Sequence, residues 1–176
     1  MGAASKAKGS GFERLLCRKF SLWVSHGQDE DLFWRSSMSG GRATIAQRKG
    51  RNVRQSGDLC AVSPKGHALT DVFFIEAKAY RNLQMAKFLL LGTGPIQKFW
   101  EVASRRAQDH RKQPMLVCRQ NGLPIIVLVR RLNLNRVLRL DVNKYDEEAE
   151  IDLPVVVHRK GYDVYLLEDL LRCQFS

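Results

Sequence analysis

The sequence predicts an α/β (α+β) domain in which a mixed β-sheet is covered by helices on both faces. Apolar residues recur at helical spacing in two separate segments, residues 10–25 and 95–107. Pairs of strand-like segments surround turn signals and alternate with these helices along the chain. Residues 72–75 are apolar without alternation, which is typical of a strand that is buried on both faces.

The size of the chain indicates the number of its domains, and its charge indicates the kind of partner it binds. The 176 residues suit one domain, predicted to span residues 10–176 after a flexible basic tail at residues 1–9. Lys and Arg number 29 against 18 Asp and Glu, so the formal net charge is +11. Such an excess favours an anionic partner, either a nucleic acid or an anionic membrane surface.

Neither a membrane span nor a secretory signal is expected from the sequence. No run reaches the ~18 apolar residues of a transmembrane helix, and the N-terminus lacks the apolar core of a signal peptide. The four cysteines are scattered without a C-x-x-C pair, which argues against a zinc site or a disulfide framework. We therefore expect a protein of a reducing cytoplasm with no membrane association.

The first helix is predicted over residues 10–25. Its apolar face comprises Phe12, Leu16, Phe20 and Trp23, at spacings of four, four and three. Ser10 and Glu13 fit an S-x-x-E capping box, which places the start of the helix at Ser10. Residues 31–38 are predicted to form a strand, followed by Gly40 and Gly41.

A basic segment without acidic residues lies between Asp31 and Asp58. Its cations are Arg35, Arg42, Arg48, Lys49, Arg51 and Arg54. Interspersed Gly, Ser and Asn residues indicate a loop over residues 40–57. A charge run of this kind is often only a solvated surface, but six cations without a counter-charge favour a segment that contacts phosphates.

The remaining elements are predicted in chain order. Residues 57–62 and 68–80 flank a turn signal at residues 63–67 and form a candidate hairpin. A short helix and a loop follow, and a longer helix begins at Pro95, since Pro suits the first turn. Two strands surround Asn121-Gly122, a strong hairpin signal. After an acidic loop, a further strand pair and a helical turn end the chain.

The apolar strand ends in Glu76-Ala77-Lys78, whose two charges need partners if they are buried. Side chains alternate along a strand, so Glu76 and Lys78 share one face. A hairpin folded about His67 would place Asp58 directly opposite Glu76. Two adjacent carboxylates suit Mg²⁺ or Mn²⁺. The alternative is an ion pair in which Lys78 neutralises Glu76 at the exposed end of the strand.

These residues carry a resemblance to a known superfamily. Asp58 followed by Glu76-Ala77-Lys78 at the end of an apolar strand resembles the D…E-x-K motif of the PD-(D/E)XK nucleases. Upstream, Glu13 on the first helix, Arg35 and the pairs Ser39-Gly40 and Ser56-Gly57 are similar to the pattern of archaeal and phage Holliday-junction resolvases. The resemblance covers residues 9–130. Gly57 stands where the superfamily name has Pro, and the basic loop is longer than the resolvase pattern.

The resemblance implies a restriction-endonuclease-like core and metal-dependent hydrolysis of DNA phosphodiesters, with Mg²⁺ or Mn²⁺ as the cofactor. Asp58 and Glu76 would hold the metal with the carbonyl of Ala77, and Glu13 would be an outer or second-metal ligand. Lys78 would orient the attacking water, and Arg35 with the other cations of the basic segment would bind phosphates. Gln97 is a candidate polar residue on the following helix, although an ordinary exposed glutamine explains it too.

The resolvase resemblance also implies a substrate and an assembly. It implies duplex or branched DNA, such as a Holliday junction in recombination or replication, and a homodimer in the cytoplasm of a bacterial, archaeal or phage-infected cell. The apolar residues 88–91 are a candidate interface or a core segment. A non-catalytic basic nucleic-acid-binding module is the main alternative function. An RNA-associated protein would explain the charge but not the three motif residues.

Overall fold

The strands of the chain form two sheets in the computed structural model, which describes residues 3–36, 55–134, 136–138 and 153–175. The described strands are β1 (Phe33–Arg35), β2 (Gln55–Ser56), β3 (Leu59–Ala61), β4 (Phe73–Tyr80), β5 (Gln113–Gln120), β6 (Ile126–Val129), β7 (Val155–Arg159) and β8 (Tyr162–Leu166). Within those residues the larger sheet has five strands in the order β4-β5-β6-β8-β7, and a small sheet has the order β1-β3-β2.

Helices cover this larger sheet on both faces. The described α-helices are α1 (Ala3–Val24), α2 (His67–Thr70), α3 (Met85–Leu91), α4 (Pro95–Asp109), α5 (Arg131–Leu134) and α6 (Leu167–Arg172). Pro95 opens α4 as predicted, because its missing N–H has no helical partner in the first turn. Gly92 ends α3 at a φ of +70°, a conformation that favours Gly.

The larger sheet is mixed, which confirms the predicted fold class. β4 and β5 are parallel neighbours, and the chain between them forms α3 and α4. The other pairs are antiparallel, including the predicted hairpin of β5 and β6 around Asn121-Gly122 and the predicted pair of β7 and β8. The parallel pair requires a crossover connection, and the α3–α4 segment provides it.

The core explains why the central strands are apolar without alternation. Along β5, Met115 and Val117 pack in a cluster with α1 and α6, whereas Leu116 and Cys118 pack in a second cluster with α3 and α4. Successive side chains point to opposite faces, and both faces are covered. β4 differs at its end, where Ala77 faces the first cluster and the charged Glu76 and Lys78 occupy the other face.

Several predicted boundaries need correction. Helix α1 begins at Ala3, not at Ser10, so the capping box does not mark its start and the helix includes most of the segment predicted as a flexible tail. A cap is only a local preference, and a helix passes through Ser10 when the residues before it also adopt helical dihedrals. The strand predicted over residues 31–38 is short, since β1 ends at Arg35.

The apolar run at residues 88–91 divides between core and surface. Phe88 is buried in the second cluster, whereas Leu90 and Leu91 are exposed at the end of α3. Among the described helices, none is both long enough and apolar enough to cross a membrane.

Candidate functional site

Asp58 lies at the tip of a tight hairpin. Only Gly57 and Asp58 separate β2 from β3, which pair antiparallel. The tip docks on the edge of β4, where Gly57 forms a parallel bridge with Ile75. The N–H of Asp58 donates a 2.7 Å hydrogen bond to the carbonyl of Ile75. Asp58 thereby reaches β4 beside Glu76.

The predicted hairpin about His67 is wrong. Residues 63–70 do not form a tight turn: Pro64 opens a 3-10 helix at Pro64–Gly66, and α2 follows directly. The chain then enters β4 running parallel to residue 57. Asp58 and Glu76 are neighbours as predicted, but through the docked tip and not through the predicted register. Gly-Asp between two short strands is itself a hairpin signal that could have identified this tip.

Gly57 is required by the geometry of the tip. Its φ is +83°, in the left-handed region that favours Gly. A Cβ at this position would overlap the carbonyl oxygen of Ile75 and lie 2.8 Å from the carbonyl carbon. Pro has a φ fixed near about −65°, so it cannot adopt this conformation. The departure from the superfamily's Pro therefore follows from how this hairpin docks.

Three charged side chains converge beside the tip. The ammonium of Lys78 lies 2.6 Å from Oε2 of Glu76 and 3.7 Å from Oδ2 of Asp58. Because both distances are measured from the same nitrogen, Oε2 of Glu76 and Oδ2 of Asp58 lie at most 6.3 Å apart. Oδ2 of Asp58 also accepts a 2.8 Å hydrogen bond from the N–H of Ala77. The structure thus brings Asp58, Glu76 and Lys78 together.

A fourth charged residue, Arg106, was missed by the sequence analysis. It lies in the last turn of α4, and its Nη1 donates a 2.9 Å hydrogen bond to Oε1 of Glu76. The side chain of Glu76 is only 3% exposed, and each of its two oxygens is paired with a cation, Oε2 with Lys78 and Oε1 with Arg106. A signal was available: Arg106 follows the buried Ala103 by three residues and so lies near the core-facing side of the helix.

The protonation behaviour of the cluster follows from burial and charge together. The pKa of Asp58 is raised, chiefly because burial disfavours its charged form and also because Glu76 lies near, while the N–H of Ala77 and the cations Lys78 and Arg106 oppose the rise. Burial alone would lower the pKa of Lys78, but the hydrogen bond to Glu76 and the charges of both carboxylates outweigh it. The pKa of Lys78 is therefore raised, and its ammonium stays charged at neutral pH.

A cavity of about 300 Å³ lies next to the two carboxylates. It is lined by Gly57, Asp58, Phe74, Glu76, Arg106 and His110. The His110 ring, just after α4, stacks on Phe74 with a centroid distance of 4.9 Å. The cavity therefore extends from the hairpin tip to the C-terminal end of α4.

Glu13 and Arg35 form an ion pair beside the hairpin. The Nε of Arg35 lies 3.5 Å from Oε2 of Glu13. Arg35 is opposite Leu59 in the small sheet, and the N–H of Ser36 donates to the carbonyl of Asp58. Burial raises the pKa of the neighbouring Cys17 thiol to about 12, with further contributions from Cys60 and Glu13, so this thiol is not a reactive nucleophile at neutral pH.

Comparison with known protein families yields a match over most of the chain. The model of the family described as "Phage putative PDDEXK endonuclease" matches residues 4–168, which is most of the chain. The chain belongs to this family. No curated protein and no solved structure matches it. The family match supports membership of the PD-(D/E)XK superfamily and a nuclease activity on DNA.

The carboxylates of this PDDEXK protein have the donor chemistry for a divalent ion. No cluster of three or more His, Cys, Asp or Glu side chains suited to a metal occurs in the described part of the chain. Asp58 and Glu76 nevertheless supply two hard oxygen donors, and Mg²⁺ is commonly held by one or two carboxylates with water. The donor chemistry fits. Asp58 and Glu76 would hold the ion, and the ammonium of Lys78 lies within 4 Å of an oxygen of each carboxylate.

Gln97, a further predicted candidate, lies in the first turn of α4. Gln97 donates to Glu101 and accepts from the hydroxyl of Tyr162 on β8. Strands β5 and β6 lie between β8 and β4, so these bonds hold Gln97 away from the carboxylates. The predicted residues that lie outside the described part of the chain are Ser39, Arg42, Arg48, Lys49, Arg51 and Arg54.

Proposed function

We propose that the chain is a metal-dependent DNA endonuclease that hydrolyses phosphodiester bonds at the site formed by Asp58, Glu76 and Lys78. The convergence of these three side chains carries the proposal, since residues from a hairpin tip and a strand end meet within ion-pair distance. A purely structural ion pair would need only Lys78 and Glu76. Asp58 adds a second carboxylate, and burial raises its pKa, which means that its charged form destabilises the fold. A buried charge of this kind favours a functional role.

Asp58 and Glu76 would hold Mg²⁺ or Mn²⁺ together with the carbonyl of Ala77. The N–H of Ala77 donates to the carboxylate of Asp58. The N–H and C=O of one strand residue face the same neighbour, so the carbonyl of Ala77 also faces the hairpin. When bound, a divalent ion would polarise the phosphoryl group and lower the pKa of a coordinated water. Glu13 is a candidate outer or second-metal ligand once its pairing with Arg35 is released.

Lys78 would act on the attacking water and on the transition state. Its raised pKa keeps the ammonium charged at neutral pH. A compact cation in a partly buried position stabilises negative charge that develops on the phosphoryl oxygens. Its three N–H donors can also orient a water beside the two carboxylates. Loss of the ammonium would therefore reduce the rate of cleavage more than the affinity for DNA.

We further propose a branched DNA substrate, such as a Holliday junction formed during recombination or replication. The support is the resemblance of Glu13, Arg35 and Ser39-Gly40 to the resolvase pattern, together with the basic segment ahead of Asp58. A junction has two strands to be cut symmetrically, which suits a two-fold homodimer with one site in each subunit. The proposed location is the cytoplasm of a bacterial, archaeal or phage-infected cell.

The decisive experiment is incubation of the purified protein with labelled duplex, flap and four-way-junction DNA, with Mg²⁺, with Mn²⁺ and with a chelator. We expect cleavage that requires the metal and is fastest on the junction. Light scattering at micromolar concentration should show a dimer. A monomer with equal rates on all substrates would remove the resolvase assignment and leave the metal nuclease intact.

The rival function is a non-catalytic nucleic-acid-binding module. One observation favours it: both oxygens of Glu76 are engaged by protein cations, Lys78 at 2.6 Å and Arg106 at 2.9 Å. In that case Lys78 serves only as an ion-pair partner. Binding of all three DNA substrates without cleavage in either metal would support this module and exclude the endonuclease.

A further inference from the structure

Arg106 has more hydrogen-bonding capacity than its described contact uses. Its Nη1 bonds Oε1 of Glu76, yet the side chain is 57% exposed. A guanidinium carries five N–H donors in a fixed plane, so one end of the fork can hold a carboxylate while the other faces a second anion. Neither the superfamily motif nor the resolvase resemblance includes this residue.

Arg106 lines the cavity beside the two carboxylates. The cavity is lined by Gly57, Asp58 and Glu76 together with Phe74, Arg106 and His110. Its volume of about 300 Å³ is ample for a phosphate group with its waters. Among the described residues that line the cavity, Arg106 is the one with a permanent positive charge.

A cation at this position favours the approach of DNA. A phosphate entering the cavity meets the negative charges of Asp58 and Glu76 and the partial negative charge at the C-terminal end of α4. Arg106 lies in that last turn, and its positive charge offsets the charges of the carboxylates and of the helix end. A guanidinium also matches the geometry of phosphate oxygens in a two-point contact.

We propose that Arg106 binds a backbone phosphate of the DNA in this cavity while it continues to hold Glu76. This inference rests on the proposed function, because it assigns the substrate contact of the same site. Arg106 thereby links the substrate to a carboxylate of the D…E-x-K motif, and it would do so on any DNA sequence, since phosphate contacts position the chain without reading bases.

The test separates a direct phosphate contact from an effect through Glu76. Affinity for fluorescent junction DNA is measured by anisotropy over a range of salt concentrations in the inactive background Glu76→Gln. We expect Arg106→Ala added to this background to weaken binding roughly tenfold, the effect of about one charge-assisted hydrogen bond. It should also flatten the slope of log affinity against log salt by about 0.9.

The matched control is Arg105→Ala in the same background, because Arg105 is an exposed arginine in the same turn of α4. It should change the affinity less than twofold. If Glu76→Gln does not fold, as judged by circular dichroism, the same comparison is made in Glu76→Ala, which also removes the carboxylate that Arg106 holds. Equal affinities with and without Arg106 in the folded background would overturn the proposal and leave Arg106 as a positioning residue for Glu76.

Failure of this inference can be told apart from failure of the proposed function. If the wild type cleaves DNA and Arg106→Ala leaves binding in the inactive background unchanged, only the phosphate contact is refuted. If the wild type binds DNA without cleaving it, the endonuclease is refuted, while a loss of affinity specific to Arg106→Ala still establishes the phosphate contact. A wild type that binds no DNA refutes both.

Discussion

The main-chain N–H of Ala77 donates a 2.8 Å hydrogen bond to the carboxylate of Asp58. This bond joins the tip of the β2–β3 hairpin to the strand that carries Glu76 and Lys78. β4 is the last strand at its end of the five-stranded order among the described residues, so the carboxylate bonds an N–H on the side away from β5. The position of Asp58 is therefore set by main-chain atoms of β4 and not by a side-chain partner alone.

The first prediction concerns the chemistry of Asp58 and Lys78. Asp58→Asn and Lys78→Ala should each reduce the cleavage rate by at least about 100-fold, because each removes a group from the site of phosphoryl transfer. Affinity for DNA should remain within a fewfold of the wild type, since most of the cationic charge lies elsewhere. Single-turnover cleavage and anisotropy measure the two quantities separately.

The control for this prediction is Asp71→Asn, which removes an exposed carboxylate just before β4. It should cleave at the wild-type rate. Unchanged cleavage by Asp58→Asn or by Lys78→Ala would contradict the assignment of that residue to the site.

The second prediction concerns the hairpin tip. Gly57→Ala should lower the free energy of unfolding by about 2–4 kcal/mol, because a positive φ and overlap with the Ile75 carbonyl act together. Gly27→Ala is a matched control, since Gly27 has the same φ of +83° but open space around its Cβ position. It should cost about 1–2 kcal/mol. Urea denaturation measures both values, and equal losses would show that the docking of the tip is not tight.

The third prediction concerns the pH dependence of stability. The pKa of Asp58 is raised above its ordinary value of 3.8 in the folded state, first of all by burial. The folded state thus binds this proton more tightly than the unfolded state, and the contribution of Asp58 to stability is lost as pH rises through the folded pKa. The stability of Asp58→Asn relative to the wild type should therefore increase as pH rises from about 4, and then level off.

Urea denaturation of both proteins between about pH 4 and pH 7 checks this dependence. Asp71→Asn controls for the loss of one negative charge from the chain. A relative stability that falls with rising pH would mean that the cations Lys78 and Arg106 stabilise the charged form of Asp58 more than burial disfavours it.

The fourth prediction concerns the basic segment, whose central cations lie outside the described residues. Changing Arg48, Lys49 and Arg51 together to Ala should flatten the slope of log affinity against log salt by roughly two to three units, since each neutralised phosphate contributes about 0.9. Cleavage at saturating DNA should fall much less than affinity. A salt slope equal to that of the wild type would mean that the segment is only a solvated surface.

The sequence alone was sufficient for the elements whose signals are local. Asn121-Gly122 indicated the β5–β6 hairpin, and Pro95 with its apolar face indicated α4, because turn chemistry and periodicity depend on neighbouring residues only. The apolar run at residues 72–75 indicated a strand covered on both faces. The D…E-x-K pattern could also be recognised in the sequence, because strand alternation places Glu76 and Lys78 on one face.

Only the tertiary structure decided how Asp58 reaches these residues. A turn signal at residues 63–67 favours a hairpin as much as a short helical crossover, and the choice depends on packing between distant segments. The docking of Gly57 on Ile75 is a contact of this kind. Arg106 joins Glu76 across 30 positions of sequence, a separation at which no periodicity operates. Local patterns determine which residues share a face, whereas the partners of a buried charge are determined by the packing of a helix against the sheet.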